Sequence, residues 1–174
     1  MIAVPPAPQS GPRPEEPNGT SRLRVGVRAD VTPERAADVL GPGRVAWLGE
    51  QVEAKAAEGS QGTARYLVDL ELRVSDSAPR VAFRKAALVD VGPLARTDAV
   101  CELEISWRAA SLTPLFPVFA GRLTWAEGEL LLDGHYAPPG GGIGAVADRL
   151  LLNVAARGTG RRLLERIAEV MTSS

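Results

Sequence analysis

The chain of 174 residues contains one cysteine and one histidine. A single cysteine excludes an internal disulfide framework and any multi-cysteine metal site, and one histidine argues against a histidine-rich metal site. We therefore expect neither a metal nor another cofactor. Twenty Lys and Arg residues against 21 Asp and Glu residues give a net charge of −1. The chain thus lacks the basic excess that drives non-specific binding to nucleic acid.

Long apolar runs are also missing from the sequence. The longest, such as Leu130–Leu132 and Leu150–Leu152, fall far short of the ~18–20 residues that cross a bilayer, so no membrane span is expected. The first residues show neither the basic start nor the apolar stretch of a signal peptide. We expect a cytoplasmic protein, and the lone thiol of Cys101 is compatible with that location.

Proline is concentrated at the N-terminus. Six of the 14 prolines lie within residues 1–21, where large apolar side chains are few. Such a segment buries too little surface to offset its ordering entropy, so it is predicted to be a disordered tail before one domain over residues 22–174. Pro5 and Pro8 also fit the PxxP spacing of a ligand for an SH3-type groove, which leaves that alternative open.

Two short helices are predicted between a first strand at Arg22–Ala29 and a later series of strands. Thr32 can cap a helix whose first position is Pro33 and which ends at Gly41. A second helix is predicted over residues 45–58, because Leu48, Val52 and Ala56 recur at four-residue spacing.

From Tyr66 onward, apolar and polar residues alternate with a period of two. Strands are predicted at Tyr66–Val74, Val81–Val91, Val100–Arg108, Phe119–Trp125 and Leu130–Tyr136. A terminal helix with an apolar stripe follows from Ile143 to Met171, and we expect it to continue, with a local distortion, past Gly158–Gly160.

An antiparallel sheet with one apolar face needs a cover, and the terminal helix is the only element long and apolar enough to supply it. The pattern therefore predicts an α+β fold, in which a curved antiparallel sheet wraps around a long C-terminal helix.

The most telling segments are Ser106–Arg108, Pro114–Gly121 and Gly134–Gly140, followed by Gly144 and Asp148 at the terminal helix. Together with the order of the elements from about Arg22 to Met171, they resemble the START-like, or helix-grip, superfamily and its bacterial polyketide cyclase/dehydrase-like (SRPBCC) branch. The superfamily includes the major birch pollen allergen and START lipid-transfer domains. The resemblance implies a cavity between the sheet and the C-terminal helix. It implies no particular reaction.

The candidate site is the wall of that cavity, where aromatic residues recur on the inward faces of successive strands. The candidate ligand-binding residues are Phe83, Lys85, Trp107, Phe119, Trp125, Tyr136 and Leu150. Such a wall suits a small apolar or amphipathic ligand, lipid-like or polyketide-like, with a few polar groups for selectivity. The same residues also fit an ordinary filled core.

Two other functions stay open at this point. One is a cyclase- or dehydratase-type enzyme that polarises an enclosed substrate with Tyr136, His135 or Lys85. The other is a ligand-free interaction module that docks a protein through the tail or through the basic residues of the terminal helix, which are Arg157, Arg161, Arg162 and Arg166.

The remaining polar signals favour structural roles. Gly140–Gly144 precedes a helix as a phosphate loop does, but no Lys-Ser/Thr pair follows. His135 alternates with Gly134 and Tyr136 and so should face away from them. Cys101 shares a face with apolar residues, and a buried, inert thiol is expected there.

Overall fold

The computed structural model describes residues 20–54, 62–73, 82–110, 118–137 and 146–173. The strands are β1 (Ser21–Arg28), β2 (Gln51–Ala54), β3 (Ala64–Arg73), β4 (Ala82–Val91), β5 (Ala95–Arg96), β6 (Val100–Ala109), β7 (Val118–Ala126) and β8 (Glu129–Ala137). The helices are α1 (Pro33–Leu40) and α2 (Val146–Thr172), with a 3-10 turn at Ala46–Leu48. Residues 1–19 of the predicted tail lie outside the described ranges, and β1 begins one residue before its expected start.

The described strands form one antiparallel sheet, in the order β1-β8-β7-β6-β4-β3-β2, with β5 paired to β6. The alternating pattern of the sequence appears as alternating burial, most regularly in β6 and β8. The buried side chains of each strand point to one face, here called the inner face, and α1 and α2 pack against it. The predicted α+β architecture, a curved antiparallel sheet around a C-terminal helix, is confirmed.

Helix α1 begins and ends where its capping residues predict. The Thr32 hydroxyl accepts a hydrogen bond from the Arg35 backbone N–H at 3.3 Å, and Pro33 occupies the first turn. These features satisfy donors that the helix itself leaves unpaired.

The second predicted helix is wrong over most of its described part, residues 45–54. Only Ala46–Leu48 is helical, as a single 3-10 turn, and Gln51–Ala54 is a strand at the edge of the sheet. Gly49 ends the turn with φ at 82°, a backbone conformation that glycine adopts without cost. Trp47 in the turn is buried, whereas Val52 is 66% exposed. Within residues 45–54, the buried side chains are confined to Val45 and the turn that follows it. Residues 55–58 lie outside the described ranges.

Helix α2 runs without interruption through Gly158–Gly160. A Cβ added to Gly160 would lie 3.1 Å from Leu132 Cδ2 and 3.5 Å from Leu23 Cδ2, so this glycine lets the helix approach β8 and β1 closely. The buried Thr159 hydroxyl donates to the Ala155 carbonyl at 2.8 Å, which satisfies it within the helix. None of the described helices combines the length and apolar character of a membrane crossing.

The C-terminal end of α2 is held by an arginine of α1. Arg35 donates from Nε to the Met171 carbonyl at 2.9 Å, and from one terminal nitrogen to the carbonyls of Val170 and Ser173 at 3.0 and 2.6 Å. Carbonyls in the last turn of a helix have no partner within it, and they carry the negative end of the helix dipole. Arg35 therefore ties the two helices together.

We expect Arg35→Met to destabilise the protein by about 1–2 kcal/mol, because several charge-assisted hydrogen bonds are lost from a partly exposed site. This corresponds to a fall of roughly 2–8 °C in the melting temperature. Thermal denaturation followed by circular dichroism measures it. Arg28→Met is the matched control, since the Arg28 side chain is 84% exposed and pairs with its neighbour Asp30 at 3.3 Å. Equal melting temperatures for the two variants would contradict the role of Arg35.

Candidate functional site

A row of large side chains crosses the inner face from strand to strand. The register places Val89 of β4 opposite Trp107 of β6, Trp107 opposite Phe119 of β7, and Phe119 opposite Tyr136 of β8. Tyr66 of β3 lies opposite Val89 and extends the row. All five side chains are buried. Three residues that the sequence analysis chose for the wall, Trp107, Phe119 and Tyr136, are thus brought side by side.

Trp107 and Phe119 form a stacked pair at the centre of this row. Their ring centroids are 4.2 Å apart, and the ring planes meet at 21°. Directly opposed side chains on neighbouring antiparallel strands lie close enough for such contacts. The stacked pair forms a flat aromatic surface on the inner face of β6 and β7.

The Phe119 ring lies over two glycines. Gly121 and Gly134 oppose each other on β7 and β8, and a Cβ on either would come within 2.7 or 2.8 Å of Phe119 Cζ. Both positions face inward by alternation, so any larger residue there would collide with the ring. Because these two glycines have no side chains, the Phe119 ring can lie over them.

The indole N–H of Trp107 is buried and has no hydrogen-bond partner among the described residues. Leaving a buried donor unpaired costs about 1–3 kcal/mol, so such a group calls for a specific explanation. The Trp47 N–H donates to the Arg44 carbonyl and the Trp125 N–H to the Ala29 carbonyl, each at 3.1 Å. Trp107 differs from both other tryptophans in this respect.

Tyr66 belongs to this row although the sequence analysis did not include it among the site residues. Burial raises the pKa of its hydroxyl, and the nearby charge of Glu53 raises the pKa further. Glu53 lies opposite Tyr66 on β2. Tyr66 lies two and four residues before the apolar Val68 and Leu70, and this spacing indicates that its side chain faces inward. The spacing does not show which residues of the neighbouring strands lie beside Tyr66.

Trp125 lies at the other end of the inner face. It is six residues from Phe119 along β7, or about 20 Å at the rise of an extended strand. Its neighbours across the strands are Cys101 and Leu130, both fully buried. Together with its hydrogen bond to Ala29, this packing separates Trp125 from the row around Trp107.

The other predicted wall residues are less central. Lys85 lies opposite Leu70, at a position of β4 that belongs to the inner face by alternation, and its side chain is exposed. Phe83 belongs to β4 and Leu150 to α2, but their side chains lie outside the described part of the structure.

Of the three candidate catalytic groups, Tyr136 lies in the row, whereas His135 and Lys85 do not. His135 lies on the opposite, outer face, between Arg22 and Ala120 in the register, as expected. Cys101 is fully buried, and burial raises the pKa of its thiol, with the charge of Glu34 adding to this and that of Arg96 opposing it. The expectation of a buried thiol is confirmed. Within the described ranges, no group of three or more His, Cys, Asp and Glu side chains could hold a metal ion.

The outer face carries an open groove of about 1510 Å³ that the sequence analysis did not anticipate. Ion pairs cross the strands along it: Arg22 with Asp133 at 2.9 Å, Arg65 with Asp90 at 2.6 Å, and Arg122 with Glu102 at 3.2 Å. Arg161 and Arg162 of α2 also pair with acidic residues of their own helix. Most of these charges therefore neutralise one another locally.

No protein-family model and no curated protein sequence matches the chain. Among solved structures, it is similar to the di-domain ARO/CYC protein BexL from the BE-7585A biosynthetic pathway, with a TM-score of 0.57 and 15% identity. The match covers 91% of this chain and 52% of BexL, so the chain spans about half the length of that protein. The chain has the helix-grip fold.

Other solved structures match the chain less well. A hypothetical protein, jhp0584 from Helicobacter pylori, matches with a TM-score of 0.50 and 10% identity, over 90% of this chain and 89% of its own. The STAR-related lipid transfer protein from Xanthomonas axonopodis matches with a TM-score of 0.41 and 13% identity, over 88% and 96% of the two chains. At sequence identities this low, the matches to BexL and jhp0584 support a similar fold and nothing more.

We expect Gly134→Ala to displace the Phe119 ring and to strain the pairing of β7 with β8, because the new Cβ would lie 2.8 Å from Phe119 Cζ and still closer to the Ala120 carbonyl oxygen and Gly121 Cα. The melting temperature should fall, and the near-ultraviolet circular dichroism should lose the contribution of the Trp107–Phe119 stack. Gly26→Ala in β1 is the control, since its Cβ would meet the movable carboxylate end of Glu129. An unchanged aromatic spectrum in Gly134→Ala would contradict the packing described here.

The Arg22–Asp133 pair should make stability depend on pH. The hydrogen bond from Arg22 holds the pKa of Asp133 below its ordinary value, although partial burial of the carboxylate acts to raise that pKa. A carboxyl group of this kind stabilises the fold above its unfolded pKa of about 3.9, and the contribution is lost as pH falls through the lower folded value. Asp133→Asn should therefore be less stable than the wild type at pH 7, and the difference should shrink below about pH 4.

Urea denaturation at a series of pH values measures this dependence. In an Arg22→Met background, the effect of Asp133→Asn at pH 7 should be smaller. A difference that stays constant from pH 7 to pH 2 would argue against the ion pair as its source.

Proposed function

We propose that the chain binds a small apolar or amphipathic molecule between the inner face of the sheet and α2, on the row formed by Trp107, Phe119 and Tyr136. The observation that carries this proposal is the buried Trp107 N–H, which has no hydrogen-bond partner among the described residues and lies between the apolar side chains of Val89 and Phe119. A largely apolar surface with a few placed polar groups is typical of small-molecule sites.

Lys85 supplies a polar group at the exposed end of the same face. It is four residues from Val89 along β4, which corresponds to about 13 Å in an extended strand. A lysine on an otherwise apolar face can keep its ammonium in water while its methylene groups cover apolar surface. An amphipathic ligand can then place its apolar part on the aromatic row and its polar end near Lys85.

The fold is compatible with this function. BexL, an ARO/CYC protein from a biosynthetic pathway, has a similar fold over about half its length. Fold similarity alone does not transfer a reaction, so we propose binding and not cyclisation. Of the groups considered for an enzyme, His135 lies on the outer face and cannot reach a ligand beneath α2.

The proposal predicts that Trp107→Leu weakens binding of the neutral fluorescent probe N-phenyl-1-naphthylamine at least tenfold, or by about 1.4 kcal/mol. Trp125→Leu is the matched control. Both tryptophans are buried on the inner face, but Trp125 lies at the far end and its N–H already has a partner. Fluorescence titration measures the affinities, and far-ultraviolet circular dichroism shows whether each variant is folded.

Both substitutions should lower the melting temperature, because each removes a large buried side chain. Only Trp107→Leu should lower probe affinity beyond this common effect. Equal weakening by the two variants, or no saturable binding to the wild type, would refute the proposed site.

A further inference from the structure

The proposed site contains a polar group that indicates the chemistry of its ligand. Trp107 is 2% exposed, and its indole nitrogen is buried without a hydrogen-bond partner among the described residues. The indole N–H can only donate, so whatever satisfies it must be an acceptor. The other two tryptophans of the chain show that this fold otherwise supplies such acceptors from backbone carbonyls.

We propose that the buried end of the ligand carries a neutral carbonyl oxygen that accepts a hydrogen bond from Trp107 Nε1. This inference rests on the proposed function and specifies its ligand class: apolar molecules with an internal ketone, ester or similar carbonyl group, as opposed to hydrocarbons or molecules with a buried carboxylate.

The charges around the row argue for a neutral group. The inner-face cation on β4, Lys85, lies about 13 Å along the strand from Val89, the residue opposite Trp107. At the β2 end of the row, Glu53 carries a negative charge. A buried carboxylate beside Trp107 would lose its hydration, and none of the described inner-face side chains next to Trp107 carries a positive charge to compensate for that cost.

The side chains next to Trp107 favour a carbonyl over a hydroxyl. Val89 and Phe119 flank it across the strands, and Ile105 precedes it on the same face of β6. None of these side chains accepts a hydrogen bond. A ligand hydroxyl would bring its own O–H donor into these surroundings, whereas a carbonyl brings only the acceptor that Trp107 lacks.

Two probes of nearly the same shape test the inference. 2-Acetylnaphthalene carries a carbonyl oxygen where 2-isopropenylnaphthalene carries a methylene group. The ratio of their dissociation constants is measured by calorimetry for the wild type, for Trp107→Phe and for the control Trp125→Phe. Because the difference in their hydrophobicity is the same for all three proteins, it cancels when the ratios are compared.

We expect the preference for the ketone to be about fivefold or more weaker in Trp107→Phe than in the wild type, which is the size of one buried hydrogen bond. Trp125→Phe should keep the wild-type ratio. If both probes bind the wild type but the ratio is unchanged by Trp107→Phe, the inference is overturned while the proposed function stands. If neither probe binds a wild type that still binds N-phenyl-1-naphthylamine, the inference is overturned while the proposed function stands. If none of the three compounds binds the wild type, both are refuted.

Nuclear magnetic resonance provides a second readout that does not depend on affinity. Three indole N–H signals are expected from three tryptophans, and the signal missing from Trp107→Phe identifies Trp107. Adding 2-acetylnaphthalene should move this proton signal downfield, as a new hydrogen bond does, and 2-isopropenylnaphthalene should not. Equal shifts with both probes would overturn the inference. Tighter binding of 2-naphthoate than of the ketone, lost in Trp107→Phe, would show that the buried acceptor is charged and would overturn it too.

Discussion

The packing of one long helix across a curved sheet is the constraint on which the rest of the structure depends. Gly160 lets α2 approach Leu23 and Leu132 closely, and Leu164 and Ile167 are fully buried beyond it. The helix also contacts β3, toward the other side of the sheet, and Arg35 fixes its last turn to α1. The aromatic row lies on the same inner face of the sheet against which the helix packs.

Most of the fold could be predicted from local patterns. Period-two alternation placed the long strands to within about two residues, and Thr32-Pro33 located the start of α1. The failure at residues 45–58 has a physical cause. Residues four apart share a face of a helix, but Leu48 and Val52 are also compatible with a turn followed by an edge strand. The backbone conformation of Gly49 and the pairing of β2 with β3 decide between them, and neither is visible in apolar spacing.

The candidate site was predictable only in part. Alternation shows that Trp107, Phe119, Trp125 and Tyr136 face inward, but it carries no information about register between strands. The register brings three of them together with Tyr66 and leaves Trp125 at the far end. The role of Gly121 and Gly134 likewise becomes apparent only when the Phe119 ring is seen above them. Hydrogen-bond partners such as the Ala29 carbonyl lie too far along the chain to be inferred.

The pairing of β1 with β8 has a consequence for folding. Arg22 and Asp133, whose side chains join these strands, are 111 residues apart in the chain. The entropy of closing so large a loop must be overcome before the pairing contributes any stability, and topologies of this kind fold slowly. Until β8 arrives, β1 has no partner strand in the sheet order, so its backbone presents an open edge to other chains. The positive charges of Arg22, Arg24 and Arg28 would then keep copies of the unfinished chain apart by electrostatic repulsion.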